Sequence, residues 1–214
     1  MGHEGRERAW HEIEVRIVRG DLAGGERVDE QELAAELDVP PGEVREALSA
    51  LACDGFVRCE GDDAYAVTEL SESEVREAYP VAILLEGLAL RTTPEFPAEA
   101  LARLRAINEE MAAAHSDPMA ATACDHRFHD ELVGHCANEQ LLATVRPLKR
   151  MLLRYEYAYM STEWLVDRSV AQHRQIIDAL AAGDMDGASQ LAADNFRDAL
   201  PNLLERLQSA SVER

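Results

Sequence analysis

The sequence predicts a mainly α protein, with an N-terminal winged helix-turn-helix domain at residues 1–70 and an all-helical bundle at 71–214. Three features predict it. Residues 30–57, EQELAAELDVPPGEVREALSALACDGFV, read as two short helices joined by a tight turn and followed by a strand. Everything beyond Ser71 reads as helix. An aliphatic, alanine-rich composition with 5% aromatic residues suits a helical interior, and 214 residues allow one large or two small domains with a sizeable core.

Taken in order, Leu33, Ala34 and Leu37 share one face of the first helix, and Asp38-Val39-Pro40-Pro41-Gly42 breaks it. Val44, Ala47, Leu48 and Leu51 then resume the i, i+3, i+4, i+7 spacing. Gly55 is placed to end the second helix in a left-handed cap. Phe56-Val57 begins a strand whose partner is Ala64 to Thr68, with Glu60-Gly61-Asp62-Asp63 as the hairpin tip. Ser71-Glu72-Ser73-Glu74 supplies a helix start with acids in its first turn. Helices are expected near Glu74 to Leu90, Ala98 to His115, Pro118 to Cys136, Glu139 to Met160, Trp164 to Ala182 and Met185 to Gln208. Pro80 and Pro147 fall inside helical patterns, so each predicts a kink or a shifted boundary.

Charge and motif content narrow the function classes. The formal net charge is −20, and residues 1–70 hold seven Arg and no Lys against 18 Asp and Glu, which is −11 of that total. No segment reaches the roughly eighteen uncharged residues of a membrane helix, and a cytoplasmic protein without membrane contact is expected. Cys53, Cys59, Cys124 and Cys136 form no Cys-x-x-Cys pair, which points to buried thiols in a reducing compartment. Lys149 is the lone lysine. Neither a glycine-rich phosphate loop nor a nucleophile elbow is present, so kinase and serine hydrolase readings have no basis.

Leu33-Ala34, Val44-Arg45-Glu46-Ala47-Leu48, Leu51 and Gly55-Phe56-Val57 together resemble the GntR family of bacterial transcription regulators. The departures lie on the side that would face DNA. Pro40 replaces a capping serine, Pro41 and Gly42 stand where arginine and threonine are common, and Glu43 stands where the family has proline. A DNA reader gains most of its affinity from Lys and Arg that neutralise phosphate. Arg45, Arg27 and Arg58 are the residues placed to do so, whereas Glu60, Asp62 and Asp63 at the hairpin tip would repel the backbone.

In the bundle, Asp125 and His129 are four residues apart, so a helix points both the same way and they can hold one ion at about 2 Å. His173 shares a helix with Ile176, Ile177 and Leu180, which places its imidazole inside, where it needs a metal or a carboxylate as partner. The other reading is a polar interior in which Asp125, His129, His173 and Asn195 bond to one another or to a ligand. Leu85-Glu86, Asp125-x-x-Phe128-His129, Asn138 with Leu141, His173-x-x-Ile176-Ile177-x-Ala179-Leu180-x-x-Gly183-Asp184 and Ala188 are similar to the FCD domain of the FadR-like branch of the same family. That resemblance implies an FCD-type bundle. It also implies a divalent ion held by an aspartate and three histidines, often completed by a small organic acid. Asp125, His129 and His173 match the first three ligands, and Asn195 stands at the fourth, leaving zinc, nickel, manganese and iron open. Ala82 stands where an arginine often precedes the Leu-Glu pair. Arg150 and Arg154, one turn apart, with Tyr155, are replacement anchors for a small carboxylate effector or else surface arginines beside a core-edge tyrosine.

The resemblance therefore implies a ligand-responsive DNA-binding regulator acting as a homodimer on a two-fold operator. The alternative is a family member that has left DNA and uses the Asp/His/His site as a metal-dependent enzyme on a small organic acid, motivated by the acidic N-terminal domain. A milder reading is a metabolite-sensing protein that acts by contacting another protein.

Overall fold

Ala9, Ile13 and Ile17 recur every four residues, a helical stripe missed in the expectations above. In the computed structural model, which describes residues 2–61, 64–159 and 163–212, that stripe is the buried side of α1 (Gly2–Arg19). The chain divides into two compact units, residues 1–70 and 71–214.

The first unit continues with β1 (Arg27–Val28), α2 (Glu30–Leu37), α3 (Pro41–Cys53), β2 (Val57–Cys59) and β3 (Tyr65–Val67). Asp29 caps α2 by accepting from the Gln31 and Glu32 amides, and Asp38 ends it in the left-handed region at φ 50°. The break between α2 and α3 is shorter than expected. Pro41 and Gly42 open α3, because a proline in the first turn lacks only an N–H that no helical carbonyl would have accepted. Gly55 adopts φ +80°, as the expected left-handed cap requires. The wing forms with Val57 opposite Val67 and Cys59 opposite Tyr65, while β1, which was not expected, pairs with the other side of β3. Asp62 and Asp63 lie outside the described residues. Ile13, Val44, Leu48, Leu51 and Phe56 are fully buried and form the centre of this unit.

The second unit is α4 (Glu72–Thr92), α5 (Ala98–Ala113), α6 (Pro118–Gly134), α7 (Glu139–Tyr159), α8 (Glu163–Ala181) and α9 (Met185–Val212). Its core runs from Val75, Tyr79 and Leu90 through Leu104, Met111, Phe128 and Leu132 to Ile176, Phe196 and Leu203. α4 packs on α9 and α7, and α5 on α6 and α8, which sets α6, α8 and α9 around one interior. Met160, expected to end α7, lies outside the described residues. Of the kink or shifted boundary expected at Pro80 and Pro147, the shifted boundary does not occur, because both prolines lie inside continuous helix, as does Pro201. All three are exposed, and so are Arg76, Ala143 and Arg197 four residues earlier. The carbonyls left without an amide donor thus lie on a wet face, where water satisfies them. Nor are all four cysteines buried thiols: Cys53 and Cys59 are exposed, Cys124 and Cys136 are buried, and all are free.

Candidate functional site

Helix α6 presents Asp125 and His129 to the interior one turn apart, as their spacing predicts, and α8 brings His173 to meet them. The candidate ligand atoms of these three residues all lie within 4.8 Å of one another. Asp125 Oδ1 is 3.4 Å from His173 Nε2, and Asp125 Oδ2 is 4.0 Å from His129 Nε2. Asn195, from α9, joins them with Oδ1 3.2 Å from His129 Nε2. Phe128 stacks on the His173 ring at 3.7 Å between centroids, and Phe196 lies 4.7 Å from the His129 ring, so the imidazoles have apolar walls.

Neighbours that the sequence reading did not single out for this role fix the orientation of each ligand. Asn108 donates Nδ2–H to the Val170 carbonyl, which leaves its Oδ1 to accept from His173 Nδ1–H at 3.2 Å. The Nε2 lone pair of His173 therefore faces Asp125 Oδ1, and neither buried atom has a hydrogen bond. Burial, and then the charge of His129, hold the His173 pKa well below its usual value, so the ring is neutral. Two acceptor atoms facing each other in an apolar interior are costly unless something electropositive lies between them. A tetrahedral ion with bonds of about 2.1 Å separates its ligand atoms by roughly 3.4 Å. The donor set fits a divalent metal.

On the other ring, His129 Nδ1–H donates to Glu86 Oε1 at 2.7 Å, and Glu86 comes from α4. Burial disfavours a protonated His129, but the charge and hydrogen bond of Glu86 and the charge of Asp125 outweigh it and raise the imidazole to about 9. Without a metal His129 is an imidazolium whose Nε2–H points at Asn195 Oδ1. Asn195 donates an Nδ2–H to Gln172 Oε1 at 2.9 Å, so an oxygen, not a nitrogen, is turned toward the cluster. Burial raises Asp125 to about 6. Lys149 Nζ, 2% exposed, lies 3.8 Å from Glu86 Oε2 and 2.8 Å from Asp130 Oδ1. Glu86 was visible in the sequence only as half of a Leu-Glu pair, and Lys149 only as the lone lysine.

The expected pairing of Arg150 with Arg154 does not form an anchor. Arg154 is buried and reaches Glu74 Oε2 at 3.3 Å, and the Tyr155 hydroxyl also donates to Glu74 while accepting from the Ser71 amide. Burial and the Glu74 hydrogen bond raise the Tyr155 phenol to about 12. Both side chains thus hold the start of α4. Arg150 turns instead toward α6, where it lines a pocket with Arg146, His126 and Asp130.

In the first unit each candidate DNA-contacting arginine has a carboxylate partner. Arg45 Nε meets Glu30 at 2.9 Å, Arg27 Nε meets Glu60 at 3.2 Å, and Arg58 Nη2 meets Glu60 at 2.8 Å. The hydrogen bonds from Arg58 and Arg27 hold the Glu60 pKa below its usual value.

A winged helix-turn-helix followed by a helical unit with a polar cluster at its centre is the arrangement of a bacterial regulatory protein. Residues 6–67 match the model for bacterial regulatory proteins of the gntR family, and residues 77–198 match the FCD domain. A relative from Paenarthrobacter nicotinovorans, named "Probable D-xylose utilization operon transcriptional repressor", is 30% identical over 191 residues, covering 88% of this chain and 84% of that one. The gluconate operon transcriptional repressor of Bacillus subtilis is 27% identical over 199 residues, with 89% and 82% covered. The chain belongs to the gntR family of bacterial regulatory proteins, in the branch that carries an FCD domain. Solved structures share the fold: E. coli McbR/YncC has a TM-score of 0.75 at 18% identity, and a GntR regulator from Rhodococcus has 0.76 at 22%, each covering 94% of this chain and 97% of the other.

Proposed function

We propose that this protein is a DNA-binding transcription regulator of the cytoplasm, whose FCD domain holds a divalent metal with Asp125, His129, His173 and the Asn195 oxygen and responds to a small carboxylate. The observation that carries the metal reading is the pair of buried acceptors, Asp125 Oδ1 and His173 Nε2, that face each other at 3.4 Å without a hydrogen bond. Two imidazole nitrogens with two oxygens suit zinc, nickel, manganese or iron. The metal would supply a Lewis-acid centre able to take a carboxylate from solution. The chain's own residues do the rest: Asn108 and Glu86 fix which nitrogen each ring offers, and Phe128 and Phe196 keep the rings in place. The gntR match and the regulator names of the relatives support DNA as the partner of the winged helix. The enzyme alternative is motivated by the acidity of the first unit, and that unit matches the gntR model almost throughout.

The regulator acts as a homodimer. Val81, Leu84 and Leu88 form an exposed apolar stripe on α4, with Leu84 66% exposed. Glu77 and Arg91 stand seven residues to either side of Leu84. A second copy laid antiparallel about a two-fold axis at Leu84 therefore covers the stripe and sets Glu77 against the partner copy's arginine. No described helix is long and apolar enough to cross a membrane.

The test is fluorescence anisotropy against a labelled fragment of the protein's own upstream region and a scrambled control, from about 50 to 200 mM salt, with and without bound zinc. Sequence-dependent binding that survives the higher salt is expected. Equal binding to both fragments would refute the regulator reading.

A further inference from the structure

Of the four candidate ligands, Asn195 alone can offer either an oxygen or a nitrogen, because an amide carries a carbonyl on one side and an NH2 group of similar size on the other. Its neighbours decide which of the two faces the cluster. Asn195 and Asp198 lie three residues apart on α9, Arg168 and Gln172 four apart on α8, and the two pairs meet where the helices pack. From the solvent side inward, Arg168 pairs with Asp198 Oδ2, and the same oxygen accepts from Gln172 Nε2 at 2.8 Å. A carboxylate held by a guanidinium offers acceptors only, so Gln172 must turn its NH2 group to Asp198 and its Oε1 to Asn195. Gln172 Oε1 accepts from Asn195 Nδ2 at 2.9 Å, which leaves Asn195 Oδ1 on the cluster side, 3.2 Å from His129 Nε2. Each link is a direct hydrogen bond with its donor matched to an acceptor. Asn195 is buried whereas the Asp198 and Arg168 side chains are partly exposed, so a choice made in the interior is imposed from the surface.

We infer that Gln172 and Asp198 are positioning residues for the metal centre, which hold Asn195 as an oxygen donor and so support an oxygen-preferring ion such as manganese more than they support zinc. An amide turned the other way would point two N–H groups at a cation and remove one of four donors. Zinc then keeps Asp125 and two imidazoles and takes water in the fourth place, as three-ligand zinc sites do. Manganese stands lowest in the order of divalent affinities and is suited by oxygen ligands, so the loss of one of two protein oxygens weakens it more. Gln172 is the residue before His173 and Asp198 the third after Asn195, and only the packing of α8 on α9 joins them.

This inference rests on the reading of the cluster as a metal site, and its test separates the two. The full-length protein is stripped with EDTA and dialysed, then titrated with manganese, followed by the electron paramagnetic resonance of the free ion, and with zinc, followed by competition with a zinc-responsive dye. Gln172→Met is expected to weaken manganese by about tenfold or more and zinc by clearly less. Asp198→Ala, a change at a partly exposed side chain, should act in the same direction and guards against a folding defect in the first variant. Both substitutions are then repeated in Asn195→Asp, where either side of the side chain is an oxygen and orientation no longer matters, so their effects should vanish. Unchanged manganese affinity in Gln172→Met would overturn the inference. So would an equal loss for both ions that persists in Asn195→Asp, since that is the mark of a packing role. A parent protein that binds neither ion would overturn the metal reading and this inference together, whereas one that binds both and is indifferent to Gln172 and Asp198 would overturn this inference alone.

Discussion

Glu86 decides the chemistry of His129. Its carboxylate fixes the Nδ1–H tautomer and makes Nε2 the nitrogen offered to the cluster, at a distance of 2.7 Å. Glu86→Gln keeps an oxygen acceptor but removes the charge, and partners of this kind typically contribute 10–100-fold in metal affinity. Competition with a zinc-responsive dye should show that loss, and an unchanged affinity would remove Glu86 from the site. The same pair sets a pH dependence. His129 is raised in the folded state to about 9, so its stabilising contribution is complete below the ordinary histidine value near 6.5 and is lost as pH rises through about 9. Asp125, raised to about 6, acts in the same direction at lower pH, favouring the folded state while it is protonated. The metal-free protein should therefore lose a few degrees of Tm between about pH 6.5 and 9.5, and saturating zinc should flatten the curve, because a metal binds the deprotonated ring. A flat metal-free profile would mean that His129 is neutral throughout.

At the scale of elements, the cluster depends on how closely α4 and α9 approach, since α4 carries Glu86 and α9 carries Asn195. Gly87 sets that approach. A Cβ at Gly87 would sit 2.8 Å from Ser189 Oγ, which donates to the Gly87 carbonyl and accepts from Arg91. Gly87→Ala must therefore push Ser189 aside, and overpacking of this kind costs about 1–3 kcal/mol. Chemical denaturation should show that loss together with weaker metal binding. A variant as stable as the parent would mean that the two helices give way easily. The helices themselves were legible: their apolar spacing and stop signals placed the six helices among the described residues of the second unit to within about two residues at most ends. α1 escaped because its stripe of Ala9, Ile13 and Ile17 is spaced among charged residues. β1 escaped because two residues carry no period.

Over the whole molecule the acidic charge of the winged helix becomes specific in the structure. Glu60 binds both Arg27 and Arg58, and Glu30 binds Arg45, so DNA must compete with carboxylates that are already in place. Glu60→Gln should release two arginines and tighten DNA binding severalfold, with the slope of log affinity against log salt steeper by about 0.9 for each phosphate gained. Anisotropy over the salt series measures this, and an unchanged slope would mean that neither arginine reaches phosphate. Leu84→Glu on α4 should shift the protein toward monomer in analytical ultracentrifugation and weaken operator binding with it, because a two-fold site needs both copies. A dimer that persists in Leu84→Glu would place the interface elsewhere.

The sequence by itself determined the order of elements from α2 onward, the family, and the three residues Asp125, His129 and His173, because helical periodicity and short motifs are local properties that survive without a fold. Tertiary structure decided which partners those residues meet. Glu86, Asn108 and Lys149 are 43, 65 and 19 residues away from His129, His173 and Asp130, the groups they contact, and no spacing rule relates them. It also separated Arg150 from Arg154: the two share a helical turn in the sequence, but the neighbouring helix start takes Arg154 for Glu74 and leaves Arg150 to the α6–α7 pocket. A helix fixes the direction in which a side chain leaves the backbone, and the element packed against it decides what that side chain finds.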